Sequence, residues 1–569
     1  METEAKNIEL ENLLEKIKSG AIQLPDFQRE WIWNDRQIKD LLESVIRGFP
    51  INSIMLLECD VNNLKFARRP IEGAQIGDVL PQYLILDGQQ RLTSLYGALF
   101  SDEPVKIKSG REFFYYVDMS KAVAAVKNAA TAEDMVISVP PSRKLTPERE
   151  YAAGMFPLNK IFDNRKWFRA YERFHKDAAG EFVDAFAENV IDKVSSYKIA
   201  FIQLEKNTPL EAVCKIFEKV NIGGKKLGVF DLLTAVFAAG KNSDGKPVEL
   251  RKDWEEIRDD FKNSELKILS TITSADFVTA LTLLVSYENF CADKNHSVSC
   301  KSEDILNLNH DNYTRNKAAV IDGFTAAAKF LKDEKISTEK YLPYKPQLIP
   351  MAAIFARLKT LRKDNVASRN KIRRWYWCTV FSEAYRDGHL ARFAKDIVQV
   401  VDWIDSEKTP DIVNNAQIVA GQIMSVTGIQ SAIYKGVVAL IFQYGAQDFI
   451  MGSSVNFAEI VEVHHIFPKK YCETHGFPKA KYDSIANKTL ILKGTNKFIG
   501  GDPPSVYLKR IERKTGLSSA EVDALLERHF IDAALCRADK FDAFIADRAN
   551  KIFDAIERLT GRPVVGRDS

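Results

Sequence analysis

Disulfide chemistry is the first thing this chain does not offer: its seven cysteines are odd in number, scattered, and form no Cys-x-x-Cys pair. That pattern fits reduced thiols in a cytoplasmic compartment rather than a cross-linked secreted scaffold. A membrane span is missing as well. The longest apolar runs, such as residues 436–442 (GVVALIF), fall far short of the roughly 18 residues a bilayer requires. The opening METEAKNIEL is acidic and polar, unlike a signal peptide. No repeat or low-complexity tract occurs, and neither charge is in large excess: the formal net charge is +3 over 569 residues. Any nucleic-acid-binding surface must therefore be local.

What is present is an ordinary globular composition, 46% hydrophobic and 28% charged, in a chain too long for one core. The pattern of elements predicts an α+β multidomain protein in three parts. Residues 1–240 form a mixed α/β domain, residues 241–448 an α-helical middle region, and residues 449–569 a small α/β module with terminal helices. In the first part, the apolar spacing of residues 7–20 predicts a helix closed by Gly20. Residues 34–47 predict a second helix, with Asn34 as its N-cap and Gly48 and Pro50 as its stop. Strands are expected at residues 54–57, 83–86, 113–118 and 196–204, and a helix at residues 209–220. Residues 357–374 carry eight Lys/Arg against one acid and lead into Trp375, Tyr376 and Trp377. A solvated basic face with its aromatics in the core is the default reading of that stretch. A phosphate-contacting face with a stacking platform is the alternative.

Two neighbourhoods carry chemistry. Near the C-terminus, His464 and His465 close a short β-like run. Consecutive strand residues face opposite ways, so the two can divide labour: one holds a cation while the other activates a water against a phosphodiester. A neutral imidazole suits a general base at cellular pH. Asn487, the strand-like 489–493 and Asn496 follow. Between His465 and Thr515 lie eleven Lys/Arg, including Lys469, Lys470 and Lys497, against four acids. That density suits a phosphate-binding surface. A structural zinc site drawing on Cys472 and His475 is the competing reading.

Near the N-terminus, the strand YLIL runs into DGQQR and then a helix. A strand, an Asp-Gly turn and a helix present backbone N–H groups to an anion. Gly88 allows close backbone approach, Gln89 and Gln90 offer amides, and Arg91 can grip a phosphate in bidentate fashion. Asp87 suits a divalent ion or a polarised water. Gln28 and Arg29 bring a second cation to that pocket. Lys225 and Lys226, after Asn221, Gly223 and Gly224, form a basic loop suited to phosphate or DNA. The plain alternative is an Asp87–Arg91 i,i+4 ion pair.

The segments PDFQREWIWNDRQIKDLLESVIRGFPI, YLILDGQQRLTSLYGAL and IFEKVNIGGKKLGVFDLLTA resemble the DUF262 domain of GmrSD-like, modification-dependent restriction proteins. That domain is related to the ParB/sulfiredoxin fold, in which the matching motif binds nucleotide phosphates. The stretch EVHHIFPKKYCETHGFPKAKYDSIANKTLILKGTN resembles the DUF1524-like HNH (His-Me finger) nuclease that closes such proteins, a β-hairpin followed by a helix with a metal at their junction. The resemblance implies His464 and Asn496 as ligands of Mg²⁺ or Mn²⁺, His465 as general base, and Asn487 as the residue that holds the hairpin loop and orients the base. A lysine often found a few residues after the last asparagine is replaced here by Ile499 at +3, with Lys497 at +1. It also implies an NTP-responsive DNA endonuclease with NTPase activity, acting against foreign or phage DNA and admitting a homo-oligomer. Two alternatives stay open: a toxin-like nuclease without modification sensing, and a non-catalytic NTP-gated DNA clamp.

Overall fold

The computed structural model describes residues 3–28, 31–60, 66–127, 134–176, 180–210, 212–213, 215–216, 228–240, 243, 245, 248–386, 389–452 and 461–567. Arg29, Asn221, Gly223, Gly224, Lys225, Lys226 and half of the helix expected at residues 209–220 lie outside the described residues. The chain divides into two compact units, Met1–Leu250 and Arg251–Ser569.

The first unit is built on a six-stranded mixed sheet, in the order β1 (Thr3–Glu9), β10 (Lys198–Leu204), β3 (Ile54–Glu58), β5 (Tyr83–Asp87), β2 (Ile22–Pro25), β4 (Arg68–Arg69). Three helices matter for the site: α1 (Leu10–Lys18), α2 (Asp35–Ile46) and α3 (Gln89–Leu99). α1 buries Leu10, Leu13, Leu14 and Ile17, the one-face spacing of an amphipathic helix. Ile8, however, belongs to β1, where it pairs with Ile199. The helix expected over residues 7–20 thus loses its first turn to a strand whose partner lies some 190 residues on. α2 starts as expected, with Asn34 accepting from Gln37 N in a capping box. A second, antiparallel sheet is formed by β6 (Val105–Lys106), β7 (Glu112–Asp118), β8 (Val136–Val139) and β9 (Met155–Pro157), with β7 central.

The second unit is mostly helical. Helices His310–Asp333 and Leu348–Thr360 approach so closely that a Cβ at Gly323 would lie 2.2 Å from the Ala352 carbonyl oxygen. Trp375, Tyr376 and Trp377, on helix Val366–Phe381, are fully buried. The cations before them are engaged nearby: Arg373 on Glu334, Arg369 on Asp364, Lys359 on Asp322, and Arg374 on the Thr560 carbonyl. The stretch is core with a paired rim, not a stacking platform. Helix Phe541–Thr560 packs against Val366–Phe381. β11 (Ile418–Val419) pairs in parallel with β14 (Val564–Val565), so the helical region and the C-terminal residues share one unit. Within it, β12 (Val461–His465) and β13 (Lys488–Leu492) form an antiparallel hairpin, and helix Lys493–Ile499 follows directly.

Candidate functional site: a hairpin–helix with two histidines

The pleat of β12 sends alternate side chains to opposite faces. Glu462 and His464 share the face covered by helix Lys493–Ile499, and His465 lies on the other. His464 is 2% exposed, and its Nδ1 lies 3.0 Å from Asn496 Oδ1. Asn496 Nδ2 in turn donates to Glu462 Oε2 at 3.1 Å. Burial pushes the His464 imidazole down to about 4, so the ring is neutral at cellular pH. Its Nε2 is buried without a hydrogen-bond partner among the described residues.

His465 Nε2 faces Asp483 Oδ1 at 3.2 Å, and Lys488 Nζ reaches the same carboxylate at 2.5 Å. Burial lowers the His465 pKa, against the opposing pull of Asp483. Burial alone would raise Asp483, but hydrogen bonds from Lys488 and His465 hold it below the usual carboxylate range. An ionised carboxylate only accepts, so Nε2 carries the proton and Nδ1 keeps the lone pair. His465 is therefore a neutral, oriented imidazole with a free basic nitrogen.

Asn487 is fully buried and acts on backbone. Its Oδ1 accepts from Phe467 N at 2.9 Å, and its Nδ2 donates to the carbonyls of Phe467 and Tyr482, each at 2.9 Å. It staples the two ends of the long hairpin connection together. The side chain touching the His465 ring is Asp483, and Asn487 acts at one remove.

Three further residues hold this frame. Asp448, fully buried, accepts from Leu492 N and Thr495 Oγ1, which anchors the start of the helix carrying Asn496. Arg548, also fully buried, donates to the carbonyls of Ile485, Ala486 and His529, the first two just ahead of Asn487. His529 sits between Thr489 Oγ1 (2.7 Å) and the Gln447 carbonyl (2.8 Å). Asp448, Asp483, Arg548 and His529 belong to no motif. Their partners lie as far as 82 residues away in sequence, which is why residue spacing does not reveal them.

The donor set fits one divalent ion. An imidazole nitrogen and an amide oxygen 3.0 Å apart match the edge between two ligands of an octahedral ion with bonds of about 2.1 Å. With Nδ1 as the ligand the ring proton sits on Nε2, which is buried and has no hydrogen-bond partner among the described residues. No group of three His, Cys, Asp or Glu gathers among the described residues. Remaining positions would thus fall to water and substrate oxygens, as an open catalytic site needs. The zinc reading fails: Cys472 is buried on the Phe467 carbonyl, and His475 is exposed and packed on Tyr471.

Of the basic residues, Lys470 and Lys497 are exposed and make no ion pair among the described residues, where Lys469 makes an i,i+4 contact with Glu473 at 3.7 Å. Lys488 is different, being buried on Asp483 and the Thr427 carbonyl.

In the first unit, Gly88 caps α3 with φ 96° and no side-chain cap. A Cβ there would lie 2.6 Å from Ile54 Cγ2, so the turn admits only glycine. Arg91 donates to Asp87 Oδ2 at 3.1 Å and to the Ser53 carbonyl at 3.0 Å, which is the i,i+4 pair with a backbone contact added. Gln28 Nε2 reaches the Ile85 carbonyl at 2.5 Å, and Gln90 Oε1 accepts from Ile32 N at 2.9 Å. Gln28, Gln89 and Gln90 are all buried. Gln28 and Gln90 thus cross-link the segment before α2 to the β5–α3 turn. Trp31 and Trp33 pack against the core. The structure brings Gln28, Asp87, Gly88, Gln90 and Arg91 together.

Residues 10–238, which lie within this unit, match the family described as the GmrSD restriction endonuclease, N-terminal domain. That match is consistent with a restriction endonuclease of the GmrSD type and with DNA as its substrate class. The chain is also similar to the uncharacterized protein MJ0686 of Methanocaldococcus jannaschii, 29% identical over 561 residues, covering 92% of this chain and 91% of the relative. No helix among the described residues is long and apolar enough to cross a membrane.

Proposed function

We propose that this chain is a metal-dependent DNA endonuclease of the His-Me finger (HNH) kind, governed by a nucleotide-responsive N-terminal unit and directed at modified foreign DNA. The division of labour on one hairpin carries the reading. His464 with Asn496 offers an ion site on one face of β12, and His465 with Asp483 offers an oriented base on the other. In this mechanism His465 Nδ1 takes the proton of the attacking water, and Asp483 stabilises the imidazolium that forms. Mg²⁺ or Mn²⁺ held by His464 and Asn496 would stabilise charge on the phosphate and leaving oxygen. Asn487 keeps the connection rigid, while Lys469, Lys470 and Lys497 meet flanking phosphates.

Nucleotide response rests on the β5–α3 turn. There a phosphate at the N-terminus of α3 would replace Asp87 as the partner of Arg91. Arg91→Ala is expected to weaken NTP binding by about tenfold or more, the loss of a charge-assisted contact. Equilibrium titration with each labelled NTP measures this, and unchanged affinity would remove the phosphate-site assignment. Cleavage of modified and unmodified plasmids, with and without NTP, tests the whole reading. Cutting of both without NTP would make the chain a toxin-like nuclease, and NTP-dependent binding without cutting would make it a clamp.

A further inference from the structure

The amide of Asn496 has a donor end and an acceptor end, and only one of them serves a cation. Glu462 decides which. Its Oε2 lies 3.1 Å from Asn496 Nδ2, and a carboxylate accepts only, so the NH₂ group must face it. The amide oxygen is thereby turned to His464 Nδ1, 3.0 Å away. The local sequence makes this arrangement. Glu462 precedes His464 by two residues on β12, which puts both on the helix-covered face. Lys493, one turn before Asn496 on that helix, lies 3.8 Å from Glu462 Oε1 and steadies the carboxylate.

We propose that Glu462 is the positioning residue of the metal half of the site, fixing Asn496 so that its carbonyl oxygen rather than its NH₂ faces the ion shared with His464. This rests on the finger-nuclease reading above. A purely structural role is a poor account of Glu462. Its side chain is 39% exposed, and among the described residues its polar partners are Asn496 and Lys493 alone. Without an acceptor at this position the amide is free to turn, and an NH₂ group aimed at a cation repels it. Loss of a residue that orients a metal ligand costs about 10- to 100-fold in metal affinity.

The test is Mn²⁺ binding to the full chain by titration calorimetry, in a His465→Ala background so that no turnover intervenes. Glu462→Ala is expected to weaken Mn²⁺ binding about 10- to 100-fold, with the metal-free melting temperature unchanged. Glu462→Gln retains an acceptor oxygen for Asn496 Nδ2 and is expected to recover most of that loss. Parent-like affinity in Glu462→Ala would overturn the inference. So would a Glu462→Gln variant as weak as Glu462→Ala, because net charge rather than amide orientation would then be the cause. His464→Ala and Asn496→Ala are the controls for the reading beneath it. If they bind Mn²⁺ as tightly as the parent, the ion site itself is misassigned and the inference falls with it.

Discussion

Asn487→Asp changes one atom's chemistry and almost nothing else, which makes it a sharp probe of the hairpin staple. In the native chain the side chain is fully buried, accepts once from Phe467 N and donates twice, to the carbonyls of Phe467 and Tyr482. The substitution keeps the acceptor and replaces the two-proton donor by an oxygen pointed at two carbonyl oxygens. If the new carboxyl ionises, a buried charge faces two like dipoles. If it stays protonated, one carbonyl is still left without a donor. One lost hydrogen bond plus one unsatisfied buried group, with the cost of shifting the new pKa, comes to about 3–5 kcal/mol. For a unit this large, that lowers the melting temperature by roughly 5–10 °C. The deficit carries a pH signature. The folded-state pKa of the introduced carboxyl is raised, so the penalty is smallest in acid, grows as pH rises above the unfolded carboxyl's pKa of about 3.9, and levels off above the folded-state pKa. Calorimetric melts of the native chain and the variant at pH 5 and pH 8 read both quantities. A loss below about 1 °C that is the same at both pH values would refute the staple.

Two further outcomes follow from the geometry. Gly88→Ala places a Cβ 2.6 Å from Ile54 Cγ2 at φ 96°, and strain plus overpacking is expected to destabilise the first unit by about 2–4 kcal/mol; a melting transition of that unit unmoved by the substitution would contradict the close-packed turn. Burial pushes His529 from 6.5 down to about 4. Because the unfolded state takes the proton first, its contribution of about 3 kcal/mol is complete above pH 6.5 and lost as pH falls towards 4. His529→Gln should flatten that part of the stability–pH curve, and an unchanged curve would count against it.

Local signals made much of the scaffold legible. Asn34 marked the start of α2, and YLIL before Asp-Gly marked a strand, a turn and a helix, as found. His464, Asn487 and Asn496 lie on one hairpin and the helix after it, the placement that the family resemblance implied. What escaped depends on distant partners. Ile8 has helical spacing but is held in β1 by a strand that follows far along the chain. The carboxylates at work beside the histidines, Asp483 and Glu462, are ordinary charged residues until the hairpin closes. Arg548 and His529 reach the site only through helices packed around it. Gln28 and Gln90 illustrate the reverse case: amides suited to a ligand on paper are engaged with neighbouring backbone in the fold.

The central claim, that His464 with Asn496 holds an ion while His465 supplies the base, is tested most directly by supercoiled-plasmid cleavage. The assay compares the native chain and His465→Ala, each with EDTA and after Mn²⁺ or Mg²⁺ is restored. The account predicts no cutting in EDTA and recovery with metal for the native chain. In His465→Ala it predicts a rate about 10²- to 10⁴-fold lower, with DNA binding retained. Cleavage that persists in EDTA, or that survives His465→Ala at the native rate, would contradict it.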